Sequence, residues 1–128
     1  MKRLSSSFAK VVLFVGIAGW ACLSFAQVPV QTMGGVLTDS AGMTLYVFDK
    51  DTANSGKSVC NGPCAANWPA LTASAGDVAQ GDYTIIKRDD GKMQWAYMGR
   101  PLYRWSKDKK PGDMTGDGFI NAWHVVKP

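Results

Sequence analysis

The sequence predicts a small, mainly β domain of antiparallel strands built from two related repeats, with at most a short helical turn near residues 64–68. Three observations predict it. All ten acidic residues are Asp, none is Glu, and Gly is frequent; Asp and Gly favour turns, whereas Glu is a good helix former. Aromatic and β-branched residues cluster in short runs bounded by turn signals, as half-buried strands require. One ten-residue pattern occurs twice, about 55 residues apart, the spacing of a duplicated structural unit.

The chain opens on Lys2, Arg3 and Lys10 with no acid among them. An apolar run from Val11 to Leu23 follows, then Ser24-Phe25-Ala26 before Gln27. A basic start, a short apolar middle and a small-x-small exit are the parts of a secretory signal peptide. The run falls short of the roughly 20 apolar residues of a membrane span. Cys22 is the alternative processing point, as a lipid-bearing cysteine. Its lead-in, Gly19-Trp20-Ala21, carries a bulky ring where small residues belong, so cleavage is expected after Ala26. That reading makes residues 1–26 a leader, places the product in the periplasm or medium, and leaves no membrane span in the mature chain.

Removing the leader changes the charge. Three of the 14 basic residues go with it, so eleven face ten acids and the net charge falls from +4 to +1. A nucleic-acid partner would want a strong basic bias on the domain itself, and none remains. Cys22 leaves too, so Cys60 and Cys64 are the only mature thiols; in an oxidising compartment they are expected to form a disulfide. The closed loop is short, so the bond is a local clip contributing about 2 kcal/mol.

Along the mature chain, residues 27–32 read as a flexible lead-in and residues 33–128 as the domain. Gly35–Thr38 and Thr44–Phe48 flank Asp39-Ser40-Ala41-Gly42 and read as a hairpin. Residues 52–63 are a polar loop, and Cys64 to Trp68 forms one helical turn stopped by Pro69. After a second loop over 72–82, Tyr83–Arg88, Lys92–Tyr97 and Arg100–Trp105 read as a three-strand meander with turns at Asp89-Asp90-Gly91 and Met98-Gly99. Residues 107–118 form a loop, and Asn121 to Val126 a last strand.

The repeat is Gly-x-x-Leu-Tyr-x-aromatic-x-Lys-Asp, over 42–51 and again over 99–108, with Trp68 and Trp123 downstream. Repeat one is expected over about 33–71 and repeat two over about 83–128. In a strand, Tyr46 and Phe48 share one face while Leu45 and Val47 share the other; Tyr103 and Trp105 pair likewise. If the two aromatic faces meet, each buried ring contributes roughly 2–3 kcal/mol. Asp51 and Asp108 end their strands. Each carboxylate has two potential partners there, backbone N–H groups of the following loop or a tyrosine hydroxyl.

Tyr46/Phe48/Asp51 and Tyr103/Trp105/Asp108, together with Cys60-x-Gly62-x-Cys64-Ala65-x-x-Trp68-Pro69-x-Leu71, Gln94-Trp95-Ala96-Tyr97, Pro111-Gly112-Asp113 and Trp123-His124-Val125-Val126-Lys127-Pro128, resemble a known family. It is the bacterial secreted-repeat family of predicted lipoproteins with the Y-x-[FWY]-x-x-D motif. The resemblance implies export and a duplicated architecture, and supplies no reaction. The chain departs from the lipoprotein pattern at Cys22.

No catalytic constellation stands out, and the function expected is that of a non-enzymatic binding or structural domain of the envelope, its partner an envelope component or small ligand, with no cofactor. The alternative is a periplasmic copper-binding or thiol-redox protein, in which Cys60, Cys64 and His124 form a soft metal site, since sulfur ligands select Cu(I). A hydrolase would have to use His124, the single histidine, yet no serine sits in a Gly-x-Ser-x-Gly context. The stretch Asp113–Gly118 lacks the spacing and the Glu of a calcium-binding EF-hand; Asp108, Asp113 and Asp117 remain as a non-EF alternative. Trp68, Trp95, Trp105 and Trp123 are either core or a stacking surface for a ligand.

Overall fold

A computed structural model describes residues 27–128; the expected leader, with its Cys22, lies outside the described residues. Among those described, antiparallel strands dominate, with one five-residue helix and one 3-10 turn.

The first hairpin is made by two glycines. Gly34 and Gly35 adopt φ of 61° and 84°, the left-handed pair that a two-residue hairpin turn demands. They join β1 (Val30–Met33) to β2 (Val36–Asp39), with Met33 opposite Val36 and Val30 opposite Asp39. The flexible lead-in expected over 27–32 is therefore corrected. Its second half, residues 30–32, is strand, because β1 supplies the backbone partners of β2, and Val28 and Val30 pack against the aliphatic core.

From β2 the chain turns at Asp39, whose Oδ1 accepts the N–H groups of Ala41 and Met43, both at 2.9 Å. It returns beside β2, Leu45 N donating to Leu37 O at 3.0 Å, and continues as β3 (Tyr46–Phe48). Helix α1 (Pro63–Asn67) carries Pro at its first position, where the missing N–H is no loss. β4 (Tyr83–Lys87), β5 (Met93–Tyr97) and β6 (Arg100–Pro101) form the expected meander. Its third strand is shorter than the run 100–105 predicts. Past β6 the chain leaves the sheet, because Tyr103 exchanges both backbone hydrogen bonds with Tyr46, at 2.8 and 2.9 Å. A 3-10 turn at Phe119–Asn121 precedes β7 (Trp123–Val125), which pairs with β3.

The period-2 alternation of the motif strands separates two cores. Tyr46, Phe48, Tyr103 and Trp105 enter an aromatic cluster with Trp68, Trp123, Cys60 and Ala122. Leu45, Val47 and Leu102 enter an aliphatic cluster with Leu37, Leu71, Val126 and Trp95. The motif strands thus form a shared wall between the two clusters.

Candidate functional site

The repeated motif folds into one arrangement in which each copy completes the other. Tyr46 Oη donates to Asp108 Oδ2 at 2.7 Å, and Tyr103 Oη donates to Asp51 Oδ2 at 2.5 Å. The other oxygen of each carboxylate takes a backbone N–H of its own following loop: Val59 N reaches Asp51 Oδ1 at 2.8 Å, and Thr115 N reaches Asp108 Oδ1 at 3.0 Å. The two partners expected as alternatives for these aspartates are thus engaged together, and each tyrosine belongs to the opposite repeat. All four residues are buried.

The rings repeat this exchange. Phe48 of repeat one stacks on Trp123 of repeat two, centroids 4.1 Å apart, and Trp105 of repeat two stacks on Trp68 of repeat one at 3.9 Å. Trp68 and Trp123 stack on each other at 3.8 Å with planes 1° apart. The result is a four-ring column, Phe48–Trp123–Trp68–Trp105. Tyr46 and Tyr103 meet its inner indoles edge-on, at 5.3 and 5.1 Å. Offset-stacked and edge-on pairs are the arrangements that ring quadrupoles favour. Gly116 backs the column: a Cβ there would sit 2.7 Å from Trp68 Cη2 and 3.0 Å from Trp105, so the loop can pass only without a side chain.

Burial sets the electrostatics. It pushes the hydroxyls of Tyr46 and Tyr103 well above the usual tyrosine range, and the hydrogen bonds to the carboxylates push the same way. The Asp51 carboxyl is raised by burial, against the pull of the Tyr103 hydroxyl, the Val59 N–H and the Arg88 charge.

Arg88 is a residue that sequence reasoning missed. It is buried, with Nη1 on Ser58 Oγ (3.0 Å) and Gln94 Oε1 (2.7 Å), Nη2 on Cys60 O (2.6 Å), and Nε on Asp90 (3.4 Å). Ser58 Oγ lies 2.5 Å from Tyr103 Oη, which joins the guanidinium to the Asp51–Tyr103 pair. A buried charge is tolerated when its donors are satisfied, as these are. No motif marks Arg88; its place beside Asp89-Asp90-Gly91 reads in sequence as the polar flank of a turn.

Cys60 and Cys64 are disulfide-bonded, and the clip holds the loop that presents Cys60 O to Arg88 and starts α1. Trp68 N, donating to Cys64 O at 2.8 Å, ends that helix and enters the ring column. Replacing both cysteines by Ala is expected to lower stability by about 2 kcal/mol, the value for a short closed loop, with the fold retained; urea unfolding of the mature protein checks it.

The copper set of Cys60, Cys64 and His124 does not converge on one point. The two sulfurs are bonded to each other. On β7, Trp123 and Val125 pack on the aromatic core while His124 between them alternates outward, its Nε2 2.8 Å from Asp49 Oδ2. Among the described residues no group of three or more His, Cys, Asp or Glu side chains could hold a metal ion. Asp108, Asp113 and Asp117 likewise serve separate partners: Asp108 holds Tyr46 and Thr115, Asp113 the N–H groups of Lys109 and Lys110, and Asp117 that of Val125. Trp68, Trp105 and Trp123 are core in the column, and Trp95 is core in the aliphatic cluster.

Among the described residues no helix is long and apolar enough to cross a membrane. A family model described as a secreted repeat of unknown function matches residues 28–72 and, a second time, residues 84–127. No curated protein and no solved structure matches the chain.

Proposed function

The chain belongs to the family of secreted repeats of unknown function, and from that premise we propose that it is an exported envelope domain, periplasmic or secreted after cleavage near Ala26, that acts by binding or by structure rather than by catalysis. One observation carries this reading. The chemically capable groups of the motif, two phenols and two carboxylates, are buried and bonded to one another across the repeats. Groups engaged in this way hold a scaffold together; reaching a substrate would require breaking it. Contact with an envelope component or small ligand then falls to surface residues outside the motif.

Tyr103→Phe and Asp51→Asn test this, because both keep shape while removing a proton donor or a charge. In cells deleted for the gene and scored for envelope integrity, each variant that remains folded by circular dichroism is expected to restore the wild-type phenotype. A variant with native near-ultraviolet dichroism that fails to restore it assigns the motif to a reaction and overturns the reading.

A further inference from the structure

We propose that two copies of this chain exchange repeats through the segment Ser74–Ala79, giving a two-fold dimer in which Tyr46 of one copy bonds Asp108 of the other. Many of the contacts that join the repeats come in reciprocal pairs, although the bonds of Arg88 to Ser58 and Cys60 and of Arg104 to Asp39 are unmatched. Tyr46–Asp108 is matched by Tyr103–Asp51, and Phe48–Trp123 by Trp105–Trp68. Pairing of β3 with β7 is matched by pairing of Tyr103 with Ala70. Leu37 N on Val126 O, at 2.9 Å, is matched by Trp95 N on Leu71 O, at 2.8 Å. A surface on which residue i meets j while j meets i is the defining feature of a two-fold interface between subunits. Within one chain, each repeat therefore occupies the position of a partner subunit to the other.

The covalent join is slight. Ser74, Ala75, Gly76, Val78 and Ala79 are exposed, and the hydrogen bonds of Ser74 with Asp77 are internal to the segment. Exchange opens this hinge and remakes every inter-repeat contact with a second copy. The balance is then set by chain closure alone. A short tether supplies an effective concentration of about 1 mM, so the closed monomer prevails at micromolar protein and the exchanged dimer gains near 1 mM.

The register shows what a short hinge does. Gln94 is flanked by Thr72 on one side and Ile86 on the other, so the chain crosses β5 between repeats. It leaves at Ala73, beside Met93, and re-enters at Tyr83, beside Tyr97. Four residues along a strand and two inter-strand spacings across separate these points by about 17 Å. Without Ser74–Ala79, four residue steps remain, reaching about 14 Å. The shortened chain falls about 3 Å short, so closing on itself costs it a paired residue at the hinge.

The mature chain lacking Ser74–Ala79 is expected to double in mass by light scattering, keep the near-ultraviolet dichroism of its stacked indoles, and dissociate only under unfolding conditions. A folded monomer, or a dimer that falls apart rapidly on dilution, overturns the proposal. Should the deletion not fold, the wild-type chain decides. It is refolded from denaturant with its disulfide intact, at about 10 μM and at about 1 mM, the latter matching the tether. A slowly dissociating dimer is expected only at the higher concentration, and monomer alone at both overturns the proposal.

Discussion

Trp68→Ala is expected to destabilise the protein by about 3–5 kcal/mol, the range for removing a buried indole. Trp68 has rings on both faces, Trp105 at 3.9 Å and Trp123 at 3.8 Å, and the edge of Tyr46 at 5.3 Å. Its removal opens a cavity at the centre of the interface between repeats, where collapse is blocked because neighbouring rings are fixed by strand pairing and by the Tyr–Asp bonds. Domains of this size have only about 5–15 kcal/mol in total, so this one change removes more than half of the reserve of a fold at the low end of that range. Phe48→Leu, at the end of the column, is the control: it nearly conserves volume and is expected to lose about 1 kcal/mol. Urea midpoints of the two variants measure the difference. Equal, small shifts would mean that the column does not join the repeats.

How far the sequence discloses this arrangement depends on the kind of interaction. The period-2 alternation of Leu45-Tyr46-Val47-Phe48 is local, and it correctly separates the aliphatic from the aromatic face. Recurrence of the pattern at Leu102–Trp105 discloses the duplication, and the family model likewise matches twice, over 28–72 and 84–127. Which Tyr meets which Asp is not local. Intra-repeat and inter-repeat pairing are both compatible with the same spacing, and only the Tyr46–Tyr103 backbone bonds select the crossed pairing. β1 was legible in principle: Gly34-Gly35 between Met33 and Val36 is a two-residue hairpin signal, but three of the four residues of β1 are exposed and carry no apolar alternation. Arg88 and Gln94 are polar residues in a buried network, and hydrophobic patterning carries no trace of such partners. The disulfide followed from compartment and count, whereas its role in presenting Cys60 O to Arg88 needed the fold.

The two crossed tyrosines make the fold alkali-sensitive in a way that isolates them. Their hydroxyls are raised above 10, first by burial and then by the carboxylates they bond. Below pH 10 a tyrosine holds its proton in both the folded and the unfolded chain, so these two contribute no pH dependence there. Above pH 10 the unfolded chain releases both protons while the folded chain keeps them, and stability falls as pH rises. Each such tyrosine adds about 1.4 kcal/mol per pH unit to the slope, and the pair about 2.7 kcal/mol. Tyr83, raised by burial and by its neighbour Tyr97, adds a smaller part in the same direction. Urea unfolding followed across this range is expected to be flat with respect to tyrosine below pH 10 and steep above it. Tyr46→Phe and Tyr103→Phe are each expected to lose about 1–3 kcal/mol at neutral pH, the cost of leaving a buried acceptor short of a donor, and each to remove about half of the pair's alkaline slope. Tyrosinate absorbance gives an independent check: Tyr46 and Tyr103 are expected to ionise only as the dichroism of the folded state is lost. Ionisation of all four tyrosines near pH 10 with that dichroism intact would show that the buried Tyr–Asp bonds do not hold the two repeats together.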